Sequence, residues 1–428
     1  MEKLFQLFYQ TSGVCTDTRN ITTNSLFVAL KGDNFNGNHF AENAIESGAR
    51  YAIVDEKDKA NNTTIFYVED SLVFLQKLAL FHRRKMNIPI IGITGSNGKT
   101  TSKELISTVL SKKYNVLFTK GNLNNHIGVP LTLLNLTDKH EIAVIEMGAN
   151  KPGNIQELCE IAEPTHGIIT NIGRAHLEGF GNLEGVIQTK TALYRSLEKN
   201  NGIIIANADD ETICSKIPSQ LEKHFYSETK KVDIKGKLIG QNPFVSFSWR
   251  SKDYSSPIVA TQLVGKYNFY NFLAAVCFGN LFNISPDQIN EAIAEYHPTN
   301  NRSQIEKTTR NTLILDCYNA NPTSVNAALE SFDLMETPNK TVILGDMLEL
   351  GTESKQEHQK VVDFLKDKKW DIYLVGKNFM EFNPTEKIKF FNDSTELKKH
   401  LSNNSINNQL ILIKGSRGIK LEIVTETL

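Results

Sequence analysis

Short apolar runs separated by polar helical stretches dominate the chain. Runs at residues 90–94, 142–146, 167–171 and 202–206 each carry four or five successive apolar or small positions, the pattern of strands buried on both faces. Between them lie segments of helical length, including residues 99–112 and a helix from about 183 to 197. Alternation of this kind predicts a parallel sheet covered by helices, with ligands at the carboxyl ends of the strands. A second such series follows the Tyr296-His297-Pro298 step, with strands at 312–316, 342–345, 372–375 and 410–414. Its helices are expected near 354–367 and from Pro322, which suits a first helical position.

The first 85 residues read differently. Short strands at 26–30 and 51–54 are joined by turns rich in Asn and Gly, and a helix with apolar residues at 72, 75, 78, 79 and 81 closes the section. Asn87-Ile88-Pro89 then opens the next strand. The expected organisation is α/β with three domains: 1–85, 86–297 and 298–428. A length of 428 residues agrees with that count at roughly 150 residues per domain.

The strand at 90–94 runs into Gly95-Ser96-Asn97-Gly98-Lys99-Thr100-Thr101 and then a helix. This is the layout of a polyphosphate cradle: glycines free the backbone to turn its N–H groups inward, and the helix presents its positive end. Lys99 is placed to meet the terminal phosphates and Thr100 to bind Mg²⁺ carried with ATP. The strict P-loop spacing asks for glycine at position 93, which is Ile93 here, so the loop is a variant with glycines at 92, 95 and 98.

Further candidates sit at the other strand ends. Glu146 follows four apolar residues and is read as a metal ligand, with a capping acid as the alternative. His176 lies in a glycine-rich loop past the strand that ends near Asn171, which favours a ligand role. Lys190 on its own reads as an ordinary solvated lysine. Asn124 and Asn125 precede a proline-led apolar helix and suit a substrate loop, although turn-forming asparagines explain them equally. Asn268 and Asn271 are able to read an adenine edge, with an N-cap as the competing role for Asn268. In the last series, Asp316, Asp346 and the Lys414 to Arg417 turn bring charge to the strand ends; the two cations there suit either carboxylate recognition or an exposed basic turn.

Charge excludes some classes. The 47 basic and 48 acidic side chains leave a net charge of -1, without the footprint of a nucleic-acid or membrane-surface binder. The opening residues lack the apolar run of a secretory signal and no later run reaches membrane-spanning length, so a cytoplasmic protein is expected. Five scattered cysteines (15, 159, 214, 277 and 317) without CxxC spacing point to buried small hydrophobes rather than disulfides or zinc.

Taken in order, the motifs resemble the Mur ligases, the ATP-dependent amide-forming enzymes of bacterial cell-wall precursor synthesis. The resemblance spans nearly the whole chain: ITGSNGKTTSKE at 93–104, NNHIGVPLTLL at 124–134, EMGANKPGNI at 146–155, NIGRAHLEGFG at 171–181, GKYNFYNFLAA at 265–275, NRSQ at 301–304, LDCYNANPTSVNAAL at 315–329 and ILGDMLELG at 343–351. Asp17-Thr18-Arg19 and the stretch from Ser25 to Phe40 are similar to the family's UDP-sugar domain. The resemblance implies a small N-terminal UDP-sugar domain, a central P-loop-type ATPase domain and a C-terminal Rossmann-like domain.

It also implies roles. Thr100, Glu146 and His176 would bind Mg²⁺; Gly95 to Thr101, with Lys99 foremost, would hold the phosphates of ATP. Asn268 and Asn271 would meet the adenine region, and Arg302 and Asp316 the nucleotide. Asp17, Thr18, Arg19, Asn124, Asn125, Asn319 and Asn321 would contact substrate. Lys99, His176 and Lys190 form the catalytic set, with Lys190 carbamylated to help hold a second Mg²⁺. One departure is that the usual acidic residue two positions after this lysine is Ala192 here.

The YNANP, GDMxELG and AHLEGFG runs look like the branch that joins D-alanyl-D-alanine to UDP-N-acetylmuramoyl-tripeptide, through an acyl phosphate in a monomeric enzyme. Alternatives are a sister ligase or folylpolyglutamate synthase adding a single amino acid, and a P-loop protein that senses nucleotide without ligation.

Overall fold

The computed structural model describes residues 1–382 and 387–428. At its centre is a nine-stranded sheet. In spatial order it runs Val259–Val264, Phe244–Arg250, Ile234–Gln241, Glu222–Ser227, Ile203–Asn207, His166–Ile169, Ile90–Thr94, Ile142–Glu146 and Val116–Phe118. The seven strands from Ile234–Gln241 to Val116–Phe118 are parallel. Ile90–Thr94 lies between Ile142–Glu146 and His166–Ile169, so the chain leaves the central strand to build outward on both sides. This is a topological switch point, and it opens a crevice at the carboxyl ends of these three strands.

Alternate residues of the central strands feed two cores. Ile90, Ala143 and Ile145 pack on one face with Leu158, Leu193 and Leu197; Ile91, Ile93, Ile142 and Val144 pack on the other with Leu105, Phe272 and Phe278. On that second face the helices Lys99–Leu110 and Asn268–Leu281 lie against each other.

Several expected elements come out with different bounds. The strand expected at 26–30 stops at Val28, and the helix expected from 183 to 197 divides at Thr191 into Leu183–Lys190 and Ala192–Lys199. Strand His166–Ile169 ends two residues before Asn171, so Asn171 belongs to the loop. The expectation of an all-parallel central sheet is corrected at one edge, where Phe244–Arg250 pairs antiparallel with both neighbours. Phe244–Arg250 alternates half-buried and buried residues, which gives a weaker signal than the doubly buried runs of the centre.

The N-terminal sheet holds four short parallel strands, Val14–Cys15, Leu26–Val28, Tyr51–Val54 and Ile65–Tyr67. Its closing helix Ser71–Met86 is capped by Asp70, whose carboxylate accepts from Val73 N at 2.8 Å, and ends at left-handed Asn87. This helix is also the joint to the central domain: Arg83 donates to Ala162 O and Glu163 O, and His82 pairs with Leu136 O.

The C-terminal sheet runs Gln304–Lys307, Thr312–Asp316, Leu410–Lys414, Lys340–Gly345, Asp371–Val375 and Ile388–Phe391, parallel except for its first strand. Asn321 caps helix Pro322–Asp333 in a reciprocal box with Ser324. Among the cysteines, Cys159, Cys277 and Cys317 are buried as expected, whereas Cys15 and Cys214 are half-buried; all five are free thiols. Among the described residues no helix is long and apolar enough to cross a membrane.

Candidate active site

A cavity of about 790 Å³ lies between the central and C-terminal domains. Its walls include Ser96 to Lys99, Asn124, Asn125, Glu146, Asn171 and His176 from the centre, and Arg302, Asp316, Tyr318, Asn319 and Arg417 from the C-terminal side.

The loop after Ile90–Thr94 is built around two glycines. Gly95 has φ +150° and its absent Cβ would lie 1.9 Å from Thr170 Oγ1; Gly98 caps the following helix with φ +77° and would press Asn271 Oδ1 at 2.8 Å. The loop that follows strand His166–Ile169 ties it down. Asn171 accepts from Asn97 N through Oδ1 and donates to Asn97 O through Nδ2, while Thr170 Oγ1 donates to Asn97 O at 2.6 Å. Helix Asn268–Leu281 supports it from below, where Ser102 Oγ donates to Asn271 Oδ1 at 3.0 Å.

Two lysines meet at one carbonyl. Lys99 Nζ donates to Gly95 O at 2.8 Å and Lys190 Nζ donates to the same oxygen at 2.9 Å. Lys190 is only 1 % exposed, which overturns the solvated-lysine reading. Burial, with the adjacent Lys99 charge, pulls its pKa well below that of a free lysine. Burial also lowers that of Lys99, with Arg302 adding to the effect and Glu146 opposing it.

Glu146 ends the strand on the other side of the loop and is buried. Its Oε1 accepts from Asn124 Nδ2 at 2.8 Å, and Oε2 is buried with no partner among the described residues. A carboxylate oxygen left unpaired in a polar cavity beside a phosphate loop fits a bound divalent cation, because an unsatisfied buried charge is otherwise costly. The capping-acid alternative has no helix N–H to act on. His176 stands at the rim in a left-handed conformation, with Nδ1 paired to Glu349 Oε2 of the C-terminal domain. Among the described residues no three His, Cys, Asp or Glu side chains converge into a complete metal cage, so a cation here would take its remaining ligands from elsewhere.

Other candidates are placed with different partners. Thr101, not Thr100, forms the cavity wall; Thr100 is buried. Asn268 is the first helical residue and caps nothing: its Nδ2 donates to Val264 O at 2.7 Å and Ser303 Oγ at 3.2 Å. Asn319 lines the cavity, whereas Asn321 is spent on its helix cap and on a bond from its Nδ2 to Asn97 Oδ1 at 2.7 Å. Asp17, Thr18 and Arg19 form an exposed turn closed by the Asp17–Arg19 ion pair and do not line this cavity. Asp346 is buried away from it, accepting from Asn378 N and Phe379 N.

Lys414 is buried in an ion pair with Asp316 at 2.6 Å, which removes the exposed-turn reading for it and leaves its charge already paired at the cavity wall; Arg417 is exposed. Tyr318 was not singled out from the sequence, yet its ring lies 3.8 Å from the Arg302 guanidinium and 5.4 Å from that of Arg417. Glu349 was missed as well. The signal for both lay in the YNANP and GDMxELG runs, each just past a strand end.

Three family profiles match the chain: "Mur ligase family, catalytic domain" over residues 10–92, "Mur ligase middle domain" over 93–279 and "Mur ligase, glutamate ligase domain" over 301–417. The chain is 32% identical to a UDP-N-acetylmuramoyl-tripeptide–D-alanyl-D-alanine ligase of Bacillus subtilis, covering 97% of this chain and 93% of that one. It is 34% identical to the enzyme of the same name from Escherichia coli, with coverage of 97% and 93%. Among solved structures, MurF from Acinetobacter baumannii superposes with a TM-score of 0.88 at 30% identity, covering 98% of this chain and 97% of that one. MurF from Thermotoga maritima in complex with ADP gives 0.87 at 28%, with the same coverage. A Thermotoga maritima folylpolyglutamate synthase, at 12% identity and a TM-score of 0.61, shares the fold alone, covering 83% of this chain and 93% of that one.

Proposed function

Since the chain belongs to the Mur ligase family, we propose that its interdomain cavity joins D-alanyl-D-alanine to UDP-N-acetylmuramoyl-tripeptide, using ATP, in peptidoglycan precursor synthesis. The observation that carries the reading is the junction of a phosphate loop, two lysines that share one carbonyl and a carboxylate oxygen unpaired among the described residues, on one side of a cavity whose other side belongs to a second domain.

The chain's own groups suit acyl-phosphate chemistry. The loop N–H groups and Lys99 hold the β- and γ-phosphates, and the peptide carboxylate attacks the γ-phosphorus to give an acyl phosphate and ADP. The amine of the dipeptide then attacks the acyl carbon; it loses a proton as phosphate departs, and an amide remains. Mg²⁺, when bound, offsets the charge that builds on the phosphoryl oxygens. Glu146 and His176, which line the cavity, would hold it, together with Thr100, which is buried at the start of the loop's helix and off the cavity wall. Lys190 as a carbamate would carry a carboxylate toward a second ion, and its buried, readily neutral amine is the form that adds CO₂. Asn268, Asn271, Arg302 and Asp316 serve the nucleotide, while Asn124, Asn125 and Asn319 serve the peptide. Asp17, Thr18 and Arg19 lie in the N-terminal domain, read as the UDP-sugar site, outside the cavity.

An acyl phosphate hydrolyses in water, so enclosure between the 86–297 and 298–428 domains has a chemical purpose. Both cavity walls come from one chain, which supports a monomer as the working unit, acting in the cytoplasm where ATP and nucleotide-sugar substrates are found. Phosphate release from ATP and Mg²⁺ with UDP-N-acetylmuramoyl-tripeptide tests the reading. Release that requires D-alanyl-D-alanine supports it. Release with D-alanine, L-lysine or L-glutamate alone moves the protein to a sister ligase, and the absence of release with every donor leaves a nucleotide sensor.

A further inference from the structure

Glu104 lies on the helix that begins at the phosphate loop, five residues after Lys99, yet it faces away from the cavity wall. Its carboxylate is fully engaged by the segment that joins the two domains. Tyr296 Oη donates to Oε2, and Asn300 Nδ2 lies 3.0 Å from Oε1 and 3.1 Å from Oε2. Lys103 Nζ adds a contact at 3.5 Å. This segment links helix Pro286–Glu295 to strand Gln304–Lys307 without regular structure of its own.

The segment ends in an unusual turn. Asn301 and Ser303 both have left-handed backbones, with φ of 55° and 51°, and Arg302 stands between them. Non-glycine residues seldom adopt that region, serine less readily than asparagine, and two in three residues persist only when their surroundings over-determine them. The surroundings do so from both ends: Glu104 clamps Asn300, while Ser303 Oγ is held by Tyr267 Oη at 2.8 Å and Asn268 Nδ2 at 3.2 Å. Arg302, so placed, reaches the cavity with its guanidinium over Tyr318 and its Nε buried without a partner among the described residues. All three anchors stand on, or at the start of, central-domain helices at or beside the phosphate loop, and the guanidinium they aim is the first charged side chain of the C-terminal side.

We propose that Glu104 is a positioning residue for ligation: it locks the interdomain segment to the phosphate-loop helix and thereby aims Arg302 at the nucleotide. This rests on the reading of the cavity as an ATP site. Loss of the carboxylate frees the segment and disperses Arg302, weakening nucleotide binding more than it slows turnover.

The test is ATP affinity by calorimetry, with steady-state phosphate release alongside, for full-length wild type, E104A, E104Q, N300A, R302A and E104A/R302A. E104A is expected to weaken ATP binding and raise its KM about tenfold, with kcat changed less than threefold. N300A follows in the same direction. E104Q, which still accepts from Tyr296 and Asn300, recovers to within threefold of wild type. In the R302A background, E104A adds less than a twofold change. An E104A effect that persists undiminished with Arg302 gone overturns the proposal, as does wild-type ATP affinity in both E104A and N300A. Should E104A fail to fold, N300A and N300A/R302A carry the same comparison. If wild-type protein binds no ATP, it is the reading of the site that fails.

Discussion

Gly98→Ala is the sharpest probe of the phosphate loop, because the cost has two separable parts. An alanine at φ +77° carries the left-handed penalty of roughly 1–2 kcal/mol. Its Cβ would also sit 2.8 Å from Asn271 Oδ1, and Asn271 cannot swing aside freely. It is buried, accepts from Ser102 Oγ and donates to Asn268 Oδ1, so moving it forfeits at least one buried hydrogen bond at about 1–3 kcal/mol. The sum is about 3 kcal/mol. Gly121→Ala supplies the control: it has φ +56° with nothing within 4 Å of the added carbon, so only the backbone part applies, about 1 kcal/mol.

The chain has two tryptophans, Trp249 in the central sheet and Trp370 in the C-terminal domain. In a W370F background the fluorescence of Trp249 therefore follows central-domain unfolding in urea. G98A is expected to lose about 2 kcal/mol more than G121A and to weaken ATP binding by about tenfold or more, whereas G121A binds ATP normally. Equal losses in the two variants, within about 0.5 kcal/mol, would show that Asn271 yields at no cost and refute the argument.

Four further outcomes are expected. Glu146→Gln keeps an acceptor for Asn124 but loses the charge, so phosphate release should fall about 100-fold, roughly 3 kcal/mol of transition-state stabilisation, with a raised Mg²⁺ requirement; an unchanged Mg²⁺ dependence would remove Glu146 from the metal site. Lys190→Ala should lose activity that short-chain carboxylates partly restore, and wild-type activity in that variant would discard the carbamate. Lys190 also sets a pH slope: its folded value lies well below 10.5, so between that lowered value and 10.5 the unfolded chain holds the extra proton and stability rises with pH. Urea midpoints should therefore climb with pH in wild type relative to Lys190→Met, and parallel curves would refute the shift. Finally, binding of ATP and tripeptide should draw the C-terminal domain against the centre, read as a smaller radius in X-ray scattering, while identical profiles would argue against closure.

How far the sequence reached depended on the kind of signal. The strands Ile90–Thr94, Ile142–Glu146, Thr312–Asp316 and Leu410–Lys414 emerge with the bounds read from it, because strands buried on both faces leave continuous apolar runs. Strand Phe244–Arg250, second from the sheet edge, alternates buried and half-buried positions over most of its seven residues and leaves no continuous apolar run to read. Local order also identified the phosphate loop, since glycine, lysine and helix start are neighbours along the chain.

What needed the tertiary structure were contacts between distant residues. Lys190 reads as a solvated lysine until helix Leu183–Lys190 brings its amine to Gly95 O, 95 positions away in sequence. Lys414 reads as a free cation until sheet pairing sets it beside Asp316, and Asn321 as a substrate amide until the domains meet at Asn97. Burial and charge pairing, which fix a side chain's protonation and its freedom to bind, are properties of the packed molecule. The sequence by itself determined which elements form and where a phosphate can sit; only the fold decided which charges remain unpaired to meet it.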